Sequence, residues 1–240
     1  MALAAVGIIL ALSAAPAFAG DFEDGLKYYQ GKDYARAMSS WNKAAVQGSA
    51  PAQFTLGYLY EKGEGVTRDN EQAMSWYRRA ADQGYPAAQI NLGSMYEKGQ
   101  GIAPDLGRAL SWYRKAADQG LAEAQFNMGR MYQTGQGVAR DDKQAASWYE
   151  KAGEQGHTWA QSALGLMHET GQGVAADYKR AVFWYRKAAE AGDSMAQFDL
   201  GRIYETGQEG VPMDYVEAHK WWNIAAANGE ERARKSRNIV

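Results

Sequence analysis

The sequence predicts an all-α protein made of stacked helix pairs, and three recurring phrases carry that prediction. The first is SWYRRAADQG (75–84), which returns as SWYRKAADQG (111–120), SWYEKAGEQG (147–156), FWYRKAAEAG (183–192) and KWWNIAAANG (220–229), with a weaker copy, SSWNKAAVQG, at 39–48. The second is AQFTLGYLYE from Ala52, followed by AQINLGSMYE, AQFNMGRMYQ, AQSALGLMHE and AQFDLGRIYE from Ala88, Ala124, Ala160 and Ala196. The third is a glycine loop: KGEGV (62–66), KGQGI (98–102), TGQGV (134–138), TGQGV (170–174) and TGQEGV (206–211). The closing glycines Gly48, Gly84, Gly120, Gly156 and Gly192 recur every 36 residues, and Gly229 lies 37 on because Glu209 is inserted. A period of this length marks a repeat array.

Each repeat reads as two helices. In AQFTLGYLYE, Ala52, Leu56, Leu59 and Tyr60 fall at i, i+4, i+7 and i+8, one apolar stripe of a 3.6-residue period. Gly63 stands where a helix closes with one left-handed residue, and Gly65 lets the loop bend again with Val66 tucked beneath. Asp69 is placed to cap the second helix, as are Asp105, Asp141, Asp177 and Asp214, with Asp33 in the first copy. Ala73, Trp76, Tyr77, Ala80 and Ala81 make the second stripe, which Gly84 ends. Gly57 inside the first helix costs about 1 kcal/mol relative to alanine. Its return at 93, 129, 165 and 201 predicts a close approach of the second helix through its small alanines. Trp76 and Tyr77 are then expected to fill the gaps between pairs.

One pair cannot bury its stripe alone, whereas a stack can. The expected order is an N-terminal capping pair (20–48), five repeats across 49–229 (49–84, 85–120, 121–156, 157–192 and 193–229) and the start of a C-terminal capping helix (230–240). Before them, MALAAVGIILALSAAPAFAG is apolar from Ala2 to Leu12 and then small, with an A-x-A site at 17–19. No Lys or Arg precedes the run, yet the proline and small residues that close it predict a cleaved secretory signal over 1–19. The expected location is therefore periplasmic or secreted, with membrane contact only through a partner.

Composition narrows the function further. The 240 residues carry 26 basic and 28 acidic side chains, a formal net charge of −2, which gives no footprint for nucleic acid. There is no cysteine, so disulfides and thiolate metal sites are excluded. A glycine loop before a helix can cradle phosphate, but this one recurs at every repeat, follows no strand and never continues into GK[ST]. It is a turn.

The AQxxLGxxYExGxGV…D…A…WYxKAAxQG unit resembles the Sel1-like repeat family, a relative of the tetratricopeptide repeats, over about residues 30–229. The resemblance implies a right-handed α/α superhelix, or solenoid, whose first helices line the concave face. Some cysteine-rich members have been linked to β-lactam binding; this chain lacks their disulfide pairs, so that activity is not carried over.

A catalytic site should break the repeat symmetry. His168 stands where other copies have Tyr60, Tyr96, Tyr132 and Tyr204, which reads as a core position; His157 is expected to be exposed in a turn; and His219 sits in a second helix. The three occupy different parts of the unit and form no metal-ligand motif. The basic pairs Arg78–Arg79, Arg114–Lys115 and Arg186–Lys187, broken by Glu150 and Asn223 in the other copies, read as a solvated face, and Trp159 as a cover for its turn or a partner anchor. No cofactor, metal or catalytic set is expected, so the chain reads as non-enzymatic.

The varying positions of the first helices point to binding instead. In tetratricopeptide relatives this face holds an extended peptide, which implies polar contacts from Asn91, Ser94, Asn127, Arg130 and Arg202. The apolar contacts would be Phe54, Tyr58, Phe126, Leu166 and Phe198. The expectation is a scaffold for a protein or peptide partner in the concave groove, with a role in regulating envelope signalling or assembly. Two alternatives stand beside it: an envelope enzyme, favoured by a clustered acid pair with perturbed pKa in the groove, and a subunit of a membrane complex, favoured by an apolar patch at the C-terminal end.

Overall fold

The computed structural model describes residues 19–237, all-helical in repeated pairs; the expected signal segment falls almost wholly outside them. Two compact units are distinguished, Met1–Gln119 and Gly120–Val240. In the first, α1 (Ala19–Gln30) and α2 (Tyr34–Val46) precede α3 (Ala50–Lys62), α4 (Asn70–Asp82), α5 (Pro86–Lys98) and α6 (Leu106–Asp118). The second holds α7 (Ala122–Thr134), α8 (Asp142–Glu154), α9 (Thr158–Thr170), α10 (Tyr178–Glu190), α11 (Ser194–Thr206), α12 (Tyr215–Ala227) and the short α13 (Glu231–Ser236).

The turn chemistry accounts for the ends of these helices. Gly63 and Gly65 adopt φ of 72° and 75°, a region that costs glycine nothing and other residues a good deal. The Gly63 amide donates to Leu59 O at 2.8 Å, and the Asp69 amide donates to Tyr60 O at 2.9 Å, so the loop folds back onto the helix it leaves. Asp69 then accepts from the amides of Glu71 and Gln72, both at 3.0 Å, and α4 begins. Asp69→Ala is expected to cost about 1 kcal/mol, the usual loss for a helix cap, read as a lower midpoint in urea with an unchanged slope.

The pairs close differently from the expectation. The glycine inside each first helix meets an aromatic ring of the second helix, not its alanines: Gly57 faces Tyr77, Gly93 Tyr113, Gly129 Tyr149, Gly165 Tyr185 and Gly201 Trp222. These rings lie within their own pair, so Tyr77 does not fill the gap between pairs. The reason is directional. A ring packed against a backbone without Cβ brings two helices together while burying a large apolar surface. The tyrosine hydroxyl then reaches the far end of the first helix and donates to Glu61, Glu97 and Gln133 at 2.8 Å and to Glu169 at 2.9 Å. Burial pushes the Tyr149 phenol up to about 12 and holds those of Tyr77 and Tyr185 well above the usual phenol range, so they remain neutral donors.

The outer pairs use tryptophan. Trp41 lies over Gly25 and donates to Phe22 O at 3.2 Å; Trp222 lies over Gly201 and donates to Phe198 O at 3.3 Å. The basic ridge is less solvated than expected. Arg79 stacks on Trp76 at 4.6 Å, Lys115 on Trp112 at 3.8 Å and Lys151 on Trp148 at 4.1 Å, and Arg78 and Arg186 reach the hydroxyls of Tyr96 and Tyr204.

An amide ladder stitches the repeats. Glutamines of the AQxxLG phrases donate through Nε2 to a carbonyl at the end of the preceding second helix: Gln53 to Ala45 O, Gln89 to Ala81 O, Gln161 to Gly153 O and Gln197 to Ala189 O. In four of the five phrases the glutamine Oε1 accepts from an amide 30 or 31 residues on. Gln83 serves Gln53 at 2.7 Å, Gln119 serves Gln89 at 2.8 Å, Gln155 serves Gln125 at 2.7 Å and Asn228 serves Gln197 at 3.0 Å.

Candidate binding face of the first helices

Each unit presents its own first-helix face. In the first unit this face is largely closed. Phe54 is 8% exposed, with its ring 5.6 Å from Tyr77 and 5.3 Å from Tyr85, and so belongs to the framework and not to a groove. Thr55 is buried too, its hydroxyl donating to Pro51 O at 2.9 Å. Tyr58, Asn91 and Ser94 are half-buried, and Tyr58 lies under the Lys62 ammonium at 5.7 Å.

The second unit is more open. Trp159, Leu166 and Met195 are 64%, 47% and 57% exposed, each far more than a core residue. Trp159, Ala163 and Leu166 fall at i, i+4 and i+7 of α9 and therefore share one face. At the register of Leu166 stand Arg130 on α7 and Arg202 on α11, so the row reads Arg–Leu–Arg. Phe126, Arg130, Phe198 and Arg202 are half-buried, whereas Asn127 is buried and offers a partner little. Phe198 lies beneath the Arg232 guanidinium at 4.4 Å.

The histidines correct one expectation. His157 is not an exposed turn residue: its side chain is 12% exposed and stacks on Phe126 at 4.5 Å. Its Nδ1 accepts from the Ala160 amide at 3.3 Å, capping α9, and its Nε2 lies 3.2 Å from Glu123. The contact holds the Glu123 carboxyl below the usual range. His168 is buried as expected, and its Nδ1 has no partner. Among the described residues no cluster of three or more His, Asp or Glu could hold a metal ion.

A charged knot joins α9 and α11. Arg202 donates to Glu169 Oε1 at 2.5 Å and lies 3.5 Å from Asp199 Oδ1, while Glu169 also accepts from Tyr185. Burial pushes the Asp199 carboxyl up, against the pull of Arg202. This is the acid pair that an enzyme would favour, but both carboxylates are directed at the same guanidinium. An acid whose native pKa is raised binds its proton more tightly in the folded state. Its contribution is therefore present below about pH 4 and lost as pH rises through the native value. Asp199→Asn is expected to raise Tm at pH 7, and the gain should shrink as melts are repeated towards pH 4.

At the other end of the unit, Met213, Tyr215 and Val216 are 56%, 49% and 80% exposed at the start of α12. Sequence reasoning singled out the faces but missed the glutamine ladder. The signal was visible in the constant AQ of every repeat and the Q of four of the six closing phrases.

Comparison with known proteins agrees with this architecture. A family model described as Sel1 repeat matches residues 50–85, 86–121, 122–157, 160–193 and 194–230. The chain is similar to c5321, a protective antigen present in uropathogenic Escherichia coli strains that displays an SLR fold. The TM-score is 0.88 and the identity 34%, over 92% of this chain and 48% of that one, so it spans about half the length of that relative. It is also similar to a Sel1 repeat protein from Oxalobacter formigenes, with TM-score 0.80 and 40% identity over 90% of this chain and 86% of the other. The immunity protein Pa5087 from Pseudomonas aeruginosa, at 20% identity and TM-score 0.52 over 92% of this chain and 85% of that one, shares the fold. No functionally curated protein matches. Sel1 repeat proteins are generally non-catalytic scaffolds for protein interaction. By its five matched repeats and its relatives, the chain belongs to the Sel1 repeat family.

Proposed function

We propose that this protein is a non-enzymatic scaffold in the cell envelope or outside it, which holds a protein or peptide partner on the first-helix face of its second unit. One observation carries the reading: Trp159, Leu166 and Met195 stand exposed on a face whose neighbours are engaged in ring, amide and ion-pair contacts. Isolated apolar residues at a surface are ordinary, but a cluster rimmed by arginines is the anatomy of an interaction site. The apolar onset of the chain supports export, and the scaffold habit of the family supports a macromolecular partner.

Arg202 is tied to Glu169, so reversing its charge would test folding along with binding. Leu166→Arg is the cleaner variant, because Leu166 is already half in solvent. A partner captured by the wild-type chain from native envelope is expected to be lost by Leu166→Arg at unchanged helicity. Equal capture by both would end the reading. The exposed stretch Met213, Tyr215 and Val216 favours a second reading, a contact within a larger complex. In that case Val216→Glu would abolish capture and Leu166→Arg would not.

A further inference from the structure

The fourth repeat departs from the common pattern at Ser162 and Ala191, and a cavity opens between the turn that precedes the helix of Ser162 and the turn that holds Ala191. At the register of Phe54, Ile90, Phe126 and Phe198 it carries Ser162. Phe126 shows what an aromatic does there: its ring stacks on His157 at 4.5 Å and lies 5.9 Å from Trp159, filling the rim beside the turn that opens α9. One repeat on, serine carries no ring to place against the next turn. An open cavity of about 540 Å³ lies between the two turns, walled by His157, Trp159, Ala191, Gly192 and Asp193. That size is within the range of side-chain and small-ligand pockets, about 300–1,000 Å³.

The second break is Ala191, which stands where Gln83, Gln119, Gln155 and Asn228 donate to the glutamine ladder. Alanine has nothing to donate. Gln161 Oε1 is accordingly buried with no hydrogen-bond partner, on a residue 5% exposed, whereas its Nε2 is satisfied by Gly153 O. A buried acceptor left unpaired costs roughly 1–3 kcal/mol, so this rung of the ladder calls for a donor from elsewhere. Its missing partner would have come from position 191, itself a wall of the cavity.

We infer that this cavity receives an aromatic side chain with its own donor, the indole of a tryptophan or the phenol of a tyrosine, from the partner. Resting on the reading that the second unit meets a peptide, it names the peptide's anchor. The ring takes the place that Phe126 occupies one repeat earlier and lies against Trp159, and the N–H or O–H supplies Gln161 Oε1. Asp193 brings a carboxylate to the mouth, and neither lysine nor arginine is among the lining residues. An acidic anchor is therefore disfavoured and a basic residue beside the aromatic is welcome. Tryptophan and tyrosine are also the side chains that most often dominate interface energetics.

The test restores the repeat pattern. Ser162→Phe fills the slot from within, and Ala191→Gln returns the missing donor; each is expected to melt higher than the wild type. A random decapeptide phage library is selected on the wild-type chain, and the recovered peptides are titrated against both variants and Leu166→Arg. Wild-type selection should enrich tryptophan or tyrosine, and either repair should weaken the recovered peptides at least about tenfold. Peptides without an aromatic, aromatic peptides that bind both repaired chains unchanged, or an empty selection would each overturn the inference. Loss in Leu166→Arg with retention in both repairs would leave the binding face standing and remove the cavity from it. Retention in all three variants would remove the face as well. Should Ser162→Phe fail to fold, Ala191→Gln carries the test alone.

Discussion

Trp222→Ala is expected to lower the stability of the chain by about 3–5 kcal/mol, the usual cost of deleting a large buried aromatic. Trp222 is 1% exposed and packs against the Gly201 backbone, with its indole donating to Phe198 O. The substitution therefore removes the contact that closes the α11–α12 pair and leaves a void among Ala218, Ala225 and Ala226, whose short side chains do not reach across it. Because a repeat array is stabilised by neighbour terms, the loss should first unfold the C-terminal end. Hydrogen exchange should show protection falling in α11 to α13 ahead of α7 and α8. A uniform loss over the whole unit would mean that it folds as one cooperative block.

The second large effect has a sign that helix propensity alone would get wrong. Gly57→Ala in the middle of an exposed helix would gain about 1 kcal/mol. Here the added Cβ would stand 2.6 Å from Tyr77 Cδ1 and 2.8 Å from Cε1, on a ring that is 0% exposed and anchored through its hydroxyl to Glu61. The ring cannot turn aside without giving up that bond. Overpacking of this kind costs typically about 1–3 kcal/mol, so Gly57→Ala should destabilise. A double variant with Tyr77→Leu should recover part of the loss, since a smaller side chain makes room. An additive double variant would show that ring and glycine are not coupled.

The repeat unit, its turns and its caps were legible because local rules decide them. A left-handed glycine and a capping aspartate act within a few residues of themselves, so Gly63 and Asp69 could be placed from spacing alone. What meets across a pair was harder. Alanine and tyrosine both lie on the buried stripe of α4, and periodicity does not say which of them faces Gly57. Burial of the face was harder still, since Phe54 and Phe126 share a register and differ in exposure through Tyr85 and His157, 31 residues on. Ser162 and Ala191 were visible as departures from the pattern. Their joint meaning appears only when the fold brings two turns 35 residues apart to the same cavity.

The amide ladder has a consequence for how such chains change over generations. Each rung joins residues a fixed 30 or 31 positions apart, and each turn is locked by its own glycines. A 36-residue block is thus a unit of inheritance as much as of structure. Copying or losing one block of DNA adds or removes a helix pair without altering the spacing of any other rung. The inserted Glu209 lies in a loop within the last rung, which it lengthens from 30 to 31 residues without breaking it, since Asn228 still serves Gln197 at 3.0 Å. Point changes then supply the differences between copies, and the fourth copy is where two of them coincide.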